Sequence, residues 1–512
     1  MKLRLLVIFL VFFTARAIAQ SGAAKIFEEV KAVTVRNVGV IKKSNVVKGY
    51  FNFYEYDKVD RNTVLFKLNL MDENLNTLGT KEIEGPKTWQ LLSSGFDGNN
   101  FCFKFYDPKE KMLELKVYNQ EAKEVLSVEQ EMIPKNNSLS YRMYAYNTKP
   151  ELNILSDGGF VDYSFDNDDN SFITTYVNGS PKRRWQRSYP NGGDYKAIVP
   201  SFVGNNNEMM ITFIARVNKG AYTTSSENFI LATSIGGGGK IFEIPAIVDG
   251  KSFAPVSVTF DSSRIIMVGL NYPNKDVLTG APNGITFLEL DMRGKVLKSK
   301  SQDFEESVGK YFPMENHKIA GDYLFYIHGI EKTKNNNFVL VGEKFRKKTS
   351  GGGVAVTILT QGSGGFVRLE LENMIVIEFS QDGQVLQARE IPKAKGYTPT
   401  FPSYSGFFPA YTLATLAGMM GWLDYMYTIK NEDRSEITFS FLDYEKLEEE
   451  SKATQNFGQI KYKNGEITSD KIAIKNEKAT FTHLFPAKAG YVLQMNYFKK
   501  KKQMTMDFIK LN

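Results

Sequence analysis

The stretch VIEFSQDGQVLQAREI, residues 376–391, alternates apolar and polar residues on both sides of a short corner. Alternation with a period of two is typical of a strand that buries one face. The corner Asp382-Gly383 supplies a dipeptide that tolerates the positive φ angles of tight hairpin turns. The stretch therefore predicts a β-hairpin.

The same pattern recurs six more times along the chain. Comparable two-residue corners ending in glycine occur at Asn178-Gly179, Arg293-Gly294 and Asn464-Gly465. A recurring supersecondary unit indicates a repeat architecture. The seven predicted hairpins cover residues 64–83, 112–130, 171–189, 229–244, 285–302, 376–391 and 459–474.

A further pair of apolar runs lies upstream of each hairpin, as at 261–272 and 335–345. These two runs share a Val-Gly dipeptide at the same place, Val268-Gly269 and Val341-Gly342. Each unit is therefore predicted to hold four antiparallel strands, named a to d in chain order. One such sheet cannot bury both of its faces alone, so the sheets are expected to stack. Closing them into a ring would leave only short edges.

These repeated four-stranded units resemble the β-propeller and, more loosely, the uncharacterised secreted propeller-like envelope proteins of Gram-negative bacteria. The sequence has no WD, kelch or Asp-box signature, so the resemblance implies a fold and not a function. The expected fold class is all-β, a β-propeller of four-stranded antiparallel blades. A chain of several β-sandwich domains is the alternative, since sandwiches also consist of short strands and turns.

The number of blades follows from the two ends of the chain. Three strands are predicted near the C-terminus, at 479–485, 491–498 and 503–511, with no fourth. We expect a strand near Val30–Val38 to supply the missing edge, so that N- and C-terminal strands close one composite blade. Seven hairpins and the composite blade predict eight blades. Seven blades is the alternative, if the unit at 138–189 is irregular.

Residues 1–19 have the pattern of a secretory signal peptide. A basic start, Lys2 and Arg4, precedes an apolar run at 5–13 and the small-residue site Ala17–Ala19. A retained anchor is the alternative, although the run is shorter than the ~20 residues that a membrane span needs. We expect residues 20–512 to form a single propeller domain without a transmembrane segment. Its expected location is the periplasm, the cell surface or the extracellular space.

The charge and cysteine content restrict the classes of function. The net charge of +7 falls by three on cleavage, so it does not indicate a nucleic-acid partner. Cys102 is the only cysteine, which rules out an intramolecular disulfide. Its strand-like surroundings predict a packed thiol. The basic run Lys499–Lys502 predicts a solvated hairpin loop, with contact to an anionic surface as the alternative.

Long connections are expected at one end of the blades. Residues 216–228, 271–284 and 346–373 are predicted b–c loops, and 392–421 is the following d–a connection. In a four-stranded meander these two kinds of connection emerge at the same end. We name these four ranges together the insertion-bearing face. Long connections in compact domains are uncommon and usually functional.

The insertion at 392–421 interleaves aromatic residues with prolines. If exposed, such rings would form an apolar patch of the kind that marks a partner or ligand site. The alternatives are packing against the blades and contact with a membrane interface. The candidate binding residues are Tyr397, Phe401, Tyr404, Phe407, Phe408 and Trp422.

Signs of catalysis or of a metal centre are weak. The three histidines, His317, His328 and His483, form no zinc-binding motif, and the last two lie in predicted strands as core residues. The run Asp166–Asn170 resembles the start of a calcium loop but lacks the glycine and glutamate of that loop. A solvated turn is expected there, with a loosely held calcium ion as the alternative. No catalytic residue, metal ligand or cofactor is predicted.

The sequence thus favours a non-catalytic binding or assembly module of the cell envelope. Its partner, a protein or a glycan, would be engaged through the insertion-bearing face. The alternative is a glycan-binding or glycan-cleaving propeller with a site at the mouth of the channel. That alternative rests on analogy between folds, which does not establish function.

Overall fold

The computed structural model describes the residues given at the end of this paragraph, and they divide into two compact units. The first unit comprises the described residues of 1–42, 47–87 and 475–512, and the second those of 43–46 and 88–474. The described residues are 24–43, 46–110, 112–131, 152–156, 158–165, 171–180, 182–219, 225–261, 263–319, 322–349, 367–402, 405–406, 408–445, 454–474, 479–488 and 490–511.

The first unit contains two four-stranded antiparallel sheets, blade 1 and blade 8. The strands of blade 1 are β2 (Val38–Lys43), β3 (Val46–Lys58), β4 (Thr63–Asp72) and β5 (Thr77–Pro86). The strands of blade 8 are β1 (Lys25–Phe27), β34 (Phe481–Pro486), β35 (Tyr491–Phe498) and β36 (Gln503–Lys510). Short 3-10 turns lie at Val35–Asn37 and Lys499–Lys501.

Blade 8 joins the two ends of the described chain, as the sequence predicts. The N-terminal strand β1 pairs antiparallel with β36, with Lys25 opposite Met506 and Phe27 opposite Met504. The prediction of a strand near Val30–Val38 was wrong in position. Glu29 has a φ of 59°, which ends the extended backbone after β1. Val38 then begins the first strand of blade 1.

The second unit contains six further blades, numbered 2 to 7. Its strands are β6 (Gln90–Phe96), β7 (Phe101–Asp107), β8 (Met112–Tyr118), β9 (Glu124–Glu131), β10 (Asn153–Ile154), β11 (Phe160–Phe165), β12 (Ser171–Val177), β13 (Trp185–Pro190), β14 (Tyr195–Asn205), β15 (Met209–Asn218), β16 (Ser226–Ser234), β17 (Lys240–Pro245), β18 (Ile247–Val248), β19 (Lys251–Asp261), β20 (Arg264–Tyr272), β21 (Gly284–Asp291), β22 (Val296–Asp303), β23 (Met314–Glu315), β24 (Lys318–Ile319), β25 (Leu324–Lys332), β26 (Phe338–Thr349), β27 (Val367–Phe379), β28 (Val385–Ile391), β29 (Gly396–Tyr397), β30 (Tyr425–Lys430), β31 (Glu436–Glu445), β32 (Thr454–Lys463) and β33 (Glu466–Ala473). Its two α-helices are α1 (Phe304–Val308) and α2 (Ala410–Met419).

Each blade of the second unit is a meander whose consecutive strands pair antiparallel. Blades 2, 3 and 4 are β6–β9, β10–β13 and β14–β17. Blades 5, 6 and 7 are β19–β22, β25–β28 and β30–β33, with β18 added beside β19 and β29 beside β27. The protein is therefore an all-β propeller with eight four-stranded blades, and the eight-blade prediction is confirmed. The seven predicted hairpins are the last two strands of blades 1 to 7.

The predicted corners have the backbone that tight hairpins require. Gly383, between β27 and β28, has a φ of 82°. Asn464 and Gly465, between β32 and β33, have φ angles of 49° and 90°. Positive φ at both central residues matches the right-handed twist of the flanking strands.

The apolar faces of neighbouring blades pack against each other within the second unit. Val341 and Val376 of blade 6, for example, share one buried cluster with Phe439 and Ile460 of blade 7. Each sheet thereby buries a face that it could not bury alone. Cys102 lies fully buried in β7, and burial raises the pKa of its thiol well above its usual value. The sequence prediction of a packed thiol is confirmed.

Candidate functional site

The described parts of the four long insertions meet at one end of blades 4 to 7. The amide of Ser226 donates to the carbonyl of Lys275 at 2.7 Å, joining the insertions at 216–228 and 271–284. The hydroxyl of Thr412 in α2 donates to the carbonyl of Thr279 at 3.2 Å. The ammonium of Lys347 donates to the carbonyl of Gly406 at 2.6 Å. Direct hydrogen bonds therefore link the insertions into one surface, as meander topology predicts.

The insertion at 346–373, predicted as a loop, is partly a continuation of the blade. Strands β26 and β27 pair as far as Thr349 opposite Val367. The short strand β29 adds a third row, with Tyr397 opposite Glu370. Alternating apolar residues of β27 explain the extension, because Val367, Leu369 and Leu371 all enter one buried cluster. The result is a three-stranded platform that extends beyond the blade.

Helix α2 covers the apolar side of this platform. It buries Tyr411, Leu413, Ala414 and Ala417, which pack in one cluster with Leu369 of β27. Alanine and leucine favour the helix, and Gly421, with a φ of 68°, allows the chain to turn away after it. The insertion therefore has a small hydrophobic core of its own.

The candidate binding residues fall into different environments. Tyr397 is 48% exposed, whereas Phe401 is 1% exposed. Trp422 is half-buried and packs on Phe401 with ring centroids 5.3 Å apart, and Phe408 is also half-buried. Phe401 is therefore buried by packing, which was the alternative expected from the sequence. Tyr397 is the candidate that stays exposed at the surface. Tyr404 and Phe407 lie outside the described residues.

The polar side of the platform is organised around the carboxylate of Glu370. This group, 4% exposed, accepts hydrogen bonds from the Tyr323 hydroxyl at 2.6 Å, the Arg346 Nε at 2.6 Å and the Tyr397 hydroxyl at 3.1 Å. Burial would raise the pKa of Glu370, but the hydrogen bonds from Tyr323 and Arg346 outweigh burial and lower it. The guanidinium of Arg368 covers the Tyr397 ring at 3.9 Å. Tyr397 is therefore held at its hydroxyl by Glu370 and at its ring by Arg368, while part of the side chain remains exposed.

A second row of charges continues the platform toward blade 6. Lys344 forms ion pairs with Glu372 at 2.9 Å and with Glu390 at 2.8 Å. Burial would raise the pKa of Glu372, but the hydrogen bond and charge of Lys344 lower it. Lys395 extends the row at 3.4 Å from Glu372. Ionised and paired carboxylates can hold neighbouring side chains of a surface in place, but they are poor general acids at neutral pH.

Beneath the platform lies a buried cluster of charged groups. The Lys393 ammonium, fully buried, lies 3.0 Å from the Glu343 carboxylate and 2.6 Å from that of Asp424. Burial and the neighbouring charge of Glu343 raise the pKa of Asp424 to about 7. His328 stacks on Tyr425 with ring centroids 4.3 Å apart and approaches Glu343 at 3.5 Å. Ion pairs that are shielded from solvent are costly to separate. The cluster therefore holds the insertion against strands β25 and β26.

The sequence-based candidates include Tyr397 but not Arg368, Glu370 or the residues of the buried cluster. Lys393 and Asp424 are 31 positions apart, and Asp424 and Glu343 are 81 positions apart. No local pattern connects such residues. The alternation of charged and apolar residues in 368–372, however, was a visible sign of a two-faced strand.

Among the residues that the structure describes, no group of three or more His, Cys, Asp or Glu side chains is placed to hold a metal ion. No helix in the described ranges combines the length and apolar character that crossing a bilayer requires. The calcium-like run at Asp166–Asn170 lies outside the described residues.

Comparisons with known proteins give a family and distant structural similarities. A family model matches residues 1–512, and its description is a family of unknown function. No curated protein sequence matches the chain significantly.

Among solved structures, prolyl oligopeptidase B from Galerina marginata is similar at 8% identity and a TM-score of 0.41, over 92% of this chain and 55% of that one. The chain thus spans about half the length of that protein. The WD40 domain of SCAP from fission yeast is similar at 9% identity and a TM-score of 0.38, over 94% of both chains. Similarities this distant carry no information on function.

Proposed function

The chain belongs to this family of unknown function, DUF6770, and we propose that it is an exported, non-catalytic binding module of the cell envelope. It engages its partner through the insertion-bearing face, with Tyr397 and Arg368 at the centre of the contact. The observation that carries the proposal is the fixed and exposed position of Tyr397 on a platform with its own core.

The composition of this surface favours a protein partner. Tyrosine, arginine and methionine are enriched in protein interfaces, and the insertion presents Tyr397 and Arg368 in contact, together with Met420, 51% exposed. Tyr397 is held by Glu370 and Arg368, so it loses little conformational freedom when a partner binds. A rigid exposed aromatic residue is a frequent energetic anchor of interfaces.

The electrostatics of the platform support a binding role over catalysis. Glu370 and Glu372 have lowered pKa values and are each held by a basic side chain. A general acid needs a pKa near the operating pH. Asp424 has such a pKa, but its carboxylate is buried against Lys393 beneath the platform.

Location in the envelope is supported by the sequence pattern of residues 1–19, which is that of a secretory signal peptide. The single, buried Cys102 is compatible with an oxidising compartment, because no exposed thiol of the described chain would be oxidised there. Export can be tested separately, by following whether a processed chain lacking these residues reaches the envelope fraction.

Site-specific photo-crosslinking in the source organism tests the proposed contact. The photoreactive amino acid p-benzoylphenylalanine replaces Tyr397 in one variant and Leu297 in the control. Leu297 is a matched control because it is 49% exposed and lies on β22, away from the insertions. We expect a discrete protein adduct from position 397 and none from position 297.

Two outcomes would contradict the proposal. Equal adducts at both positions would mean that the partner does not prefer the insertion-bearing face. No adduct at 397, together with Tyr397-dependent binding of purified envelope polysaccharide, would favour the glycan-binding alternative. That alternative remains relevant because exposed aromatic rings beside carboxylates also suit sugars.

A further inference from the structure

A cavity between blades 5 and 6 lies at the opposite end from the insertions. Its wall includes Arg264, the first residue of β20, whereas the insertion at 271–284 follows the other end of that strand. The volume of about 360 Å³ falls within the range of small-molecule sites. Its lining includes four basic residues, Arg264, Lys298, Lys300 and Lys332, and two acidic ones, Glu289 and Asp382.

Cationic side chains in the cavity outnumber the carboxylates that neutralise them. Arg264 is paired, with Asp261 at 2.6 Å and Glu289 at 3.1 Å. Lys300 donates to a backbone carbonyl, that of Asp382, at 2.9 Å. In the part of the chain that the structure describes, the ammonium groups of Lys298 and Lys332 form no hydrogen bond or ion pair. The Asp382 carboxylate also interacts electrostatically with Lys300 and Lys298. Four cations therefore stand against three carboxylates, those of Asp261, Glu289 and Asp382, and the cavity keeps an excess of positive charge.

Lys332 is the most constrained of these lysines. It is half-buried, and burial together with the charge of Arg434 lowers the pKa of its ammonium group despite the opposing charge of Asp261. A partly desolvated cation among like charges is unfavourable unless an anion accompanies it. An anionic ligand would recover the lost solvation through charge-assisted hydrogen bonds.

The other wall of the cavity is apolar. Phe287 of blade 5 and Phe338 of blade 6 meet edge to face, with ring centroids 5.6 Å apart, and Ile266 lies beside them. Sites for small molecules commonly combine such a wall with a few convergent polar groups. An inorganic ion would use the cations but would make no use of this apolar wall.

We propose that this cavity binds a small organic anion, with its phosphate or carboxylate head against Lys332, Lys298 and Lys300 and its apolar body against Phe287 and Phe338. The inference goes beyond the envelope-binding role and does not depend on it, because the cavity shares no residue with the insertion-bearing face. Phosphate and carboxylate heads share the required charge, and the experiment distinguishes them.

Isothermal titration calorimetry of the purified full-length protein tests the ligand class. The probes are phenyl phosphate, benzoate, inorganic phosphate and phenol. We expect saturable binding of phenyl phosphate or benzoate that weakens as salt is added, with the tighter of the two identifying the head group. Inorganic phosphate and phenol should each bind at least tenfold more weakly than that probe. Failure of both organic anions to bind saturably, or equal binding of inorganic phosphate, would overturn the proposal.

Charge-removing variants test the location. Lys332→Met and Lys298→Met should each weaken binding by about tenfold or more, since a hydrogen bond to a charged group contributes about that factor. Lys295→Met is the matched control, because Lys295 is exposed on the same β21–β22 hairpin but does not line the cavity. It should change affinity by less than about twofold. Wild-type affinity in both Lys332→Met and Lys298→Met would overturn the assigned site.

The same variants report whether the protein still folds. Without ligand, Lys332→Met should melt at the wild-type temperature or above it, because it removes a partly buried cation beside Arg434. A lower melting temperature would mean that Lys332 has a structural role and stabilises the fold without a ligand. Lys298 is exposed, so Lys298→Met remains a test of binding in either case.

Discussion

Lys393 shows how a single residue can hold an insertion in place. Its ammonium group is fully buried between two carboxylates, those of Glu343 and Asp424. Lys393 lies in the connection that leads to β29, whereas Glu343 belongs to β26. Taking three charged groups out of water is unfavourable, so the arrangement depends on every partner being present. The loss of one partner should therefore be more damaging than the loss of an exposed ion pair.

The variant Lys393→Met is expected to be strongly destabilised. It leaves two buried carboxylates without their cation, and breaking a buried pair in this way costs about 3–5 kcal/mol. Lys395→Met, two positions further on, removes an exposed lysine paired with Glu372 and should cost less than about 1 kcal/mol. Urea denaturation of the two variants measures the difference. Similar losses for both would contradict a structural role for the buried cluster.

His483 makes the stability of the first unit depend on pH. Burial lowers the pKa of its imidazole from 6.5 to about 4, because the charged form is poorly solvated in β34. The unfolded chain therefore binds a proton at a higher pH than the folded chain does. The stabilising contribution is complete above about pH 6.5 and is lost as the pH falls toward 4.

The corresponding measurement compares wild type with His483→Gln by urea denaturation at pH 7 and pH 5. Wild type should lose stability on acidification, and the glutamine variant should lose less, because it cannot take up this proton in the unfolded state. The comparison between the two proteins cancels the titration of other groups. An identical pH dependence in both would mean that His483 is not the group responsible.

At the scale of elements, the insertion consists of the β26–β27 extension, β29 and α2. Phe401 and Tyr397 lie four positions apart on the same segment but have opposite environments. Phe401→Ala should cost about 3–5 kcal/mol, the range for removing a buried phenylalanine. Tyr397→Ala should cost less than about 1 kcal/mol, since its ring is exposed. Urea denaturation that ranks the two variants in the reverse order would contradict the described packing.

The elements that sequence reasoning found are those whose signals are local. The hairpin at 376–391 combines alternation with a corner at Gly383, and all of this information lies within sixteen residues. The pairing of Arg346 with Glu370 could not be predicted, because it depends on how far two strands continue across an insertion. The cluster of Lys393, Glu343 and Asp424 was equally hidden, since one strand and two separate connections bring it together.

The position of the closing strand illustrates the same limit. The three-residue strand β1 is too short for periodicity to identify, whereas the valine-rich segment at 30–38 has the composition of a strand. The topology of blade 8 nevertheless followed from counting strands. The C-terminal region supplies three strands, and the other blades have four, so a strand from the N-terminus was expected to complete the sheet. The existence of the composite blade was therefore predictable, and its exact edge was not.

At the scale of the whole molecule, the pairing of β1 with β36 joins the two ends of the described chain. Removal of residues 24–28 should expose the edge of β36 and accelerate exchange of its backbone amides with deuterium. Hydrogen exchange followed by mass spectrometry measures this, with β20 in the second unit as the internal reference. Unchanged protection of peptides covering Met504 and Met506 would contradict the closing role of β1.

We propose that the insertion-bearing face selects the partner through Tyr397 and Arg368. The most direct test is equilibrium binding of the crosslinked and identified partner to wild type, Tyr397→Ala and the control Leu297→Ala, all of which should remain folded. Tyr397→Ala should weaken binding by at least about tenfold, as expected for an aromatic anchor, while Leu297→Ala should leave it unchanged. Wild-type affinity in Tyr397→Ala would contradict the claim.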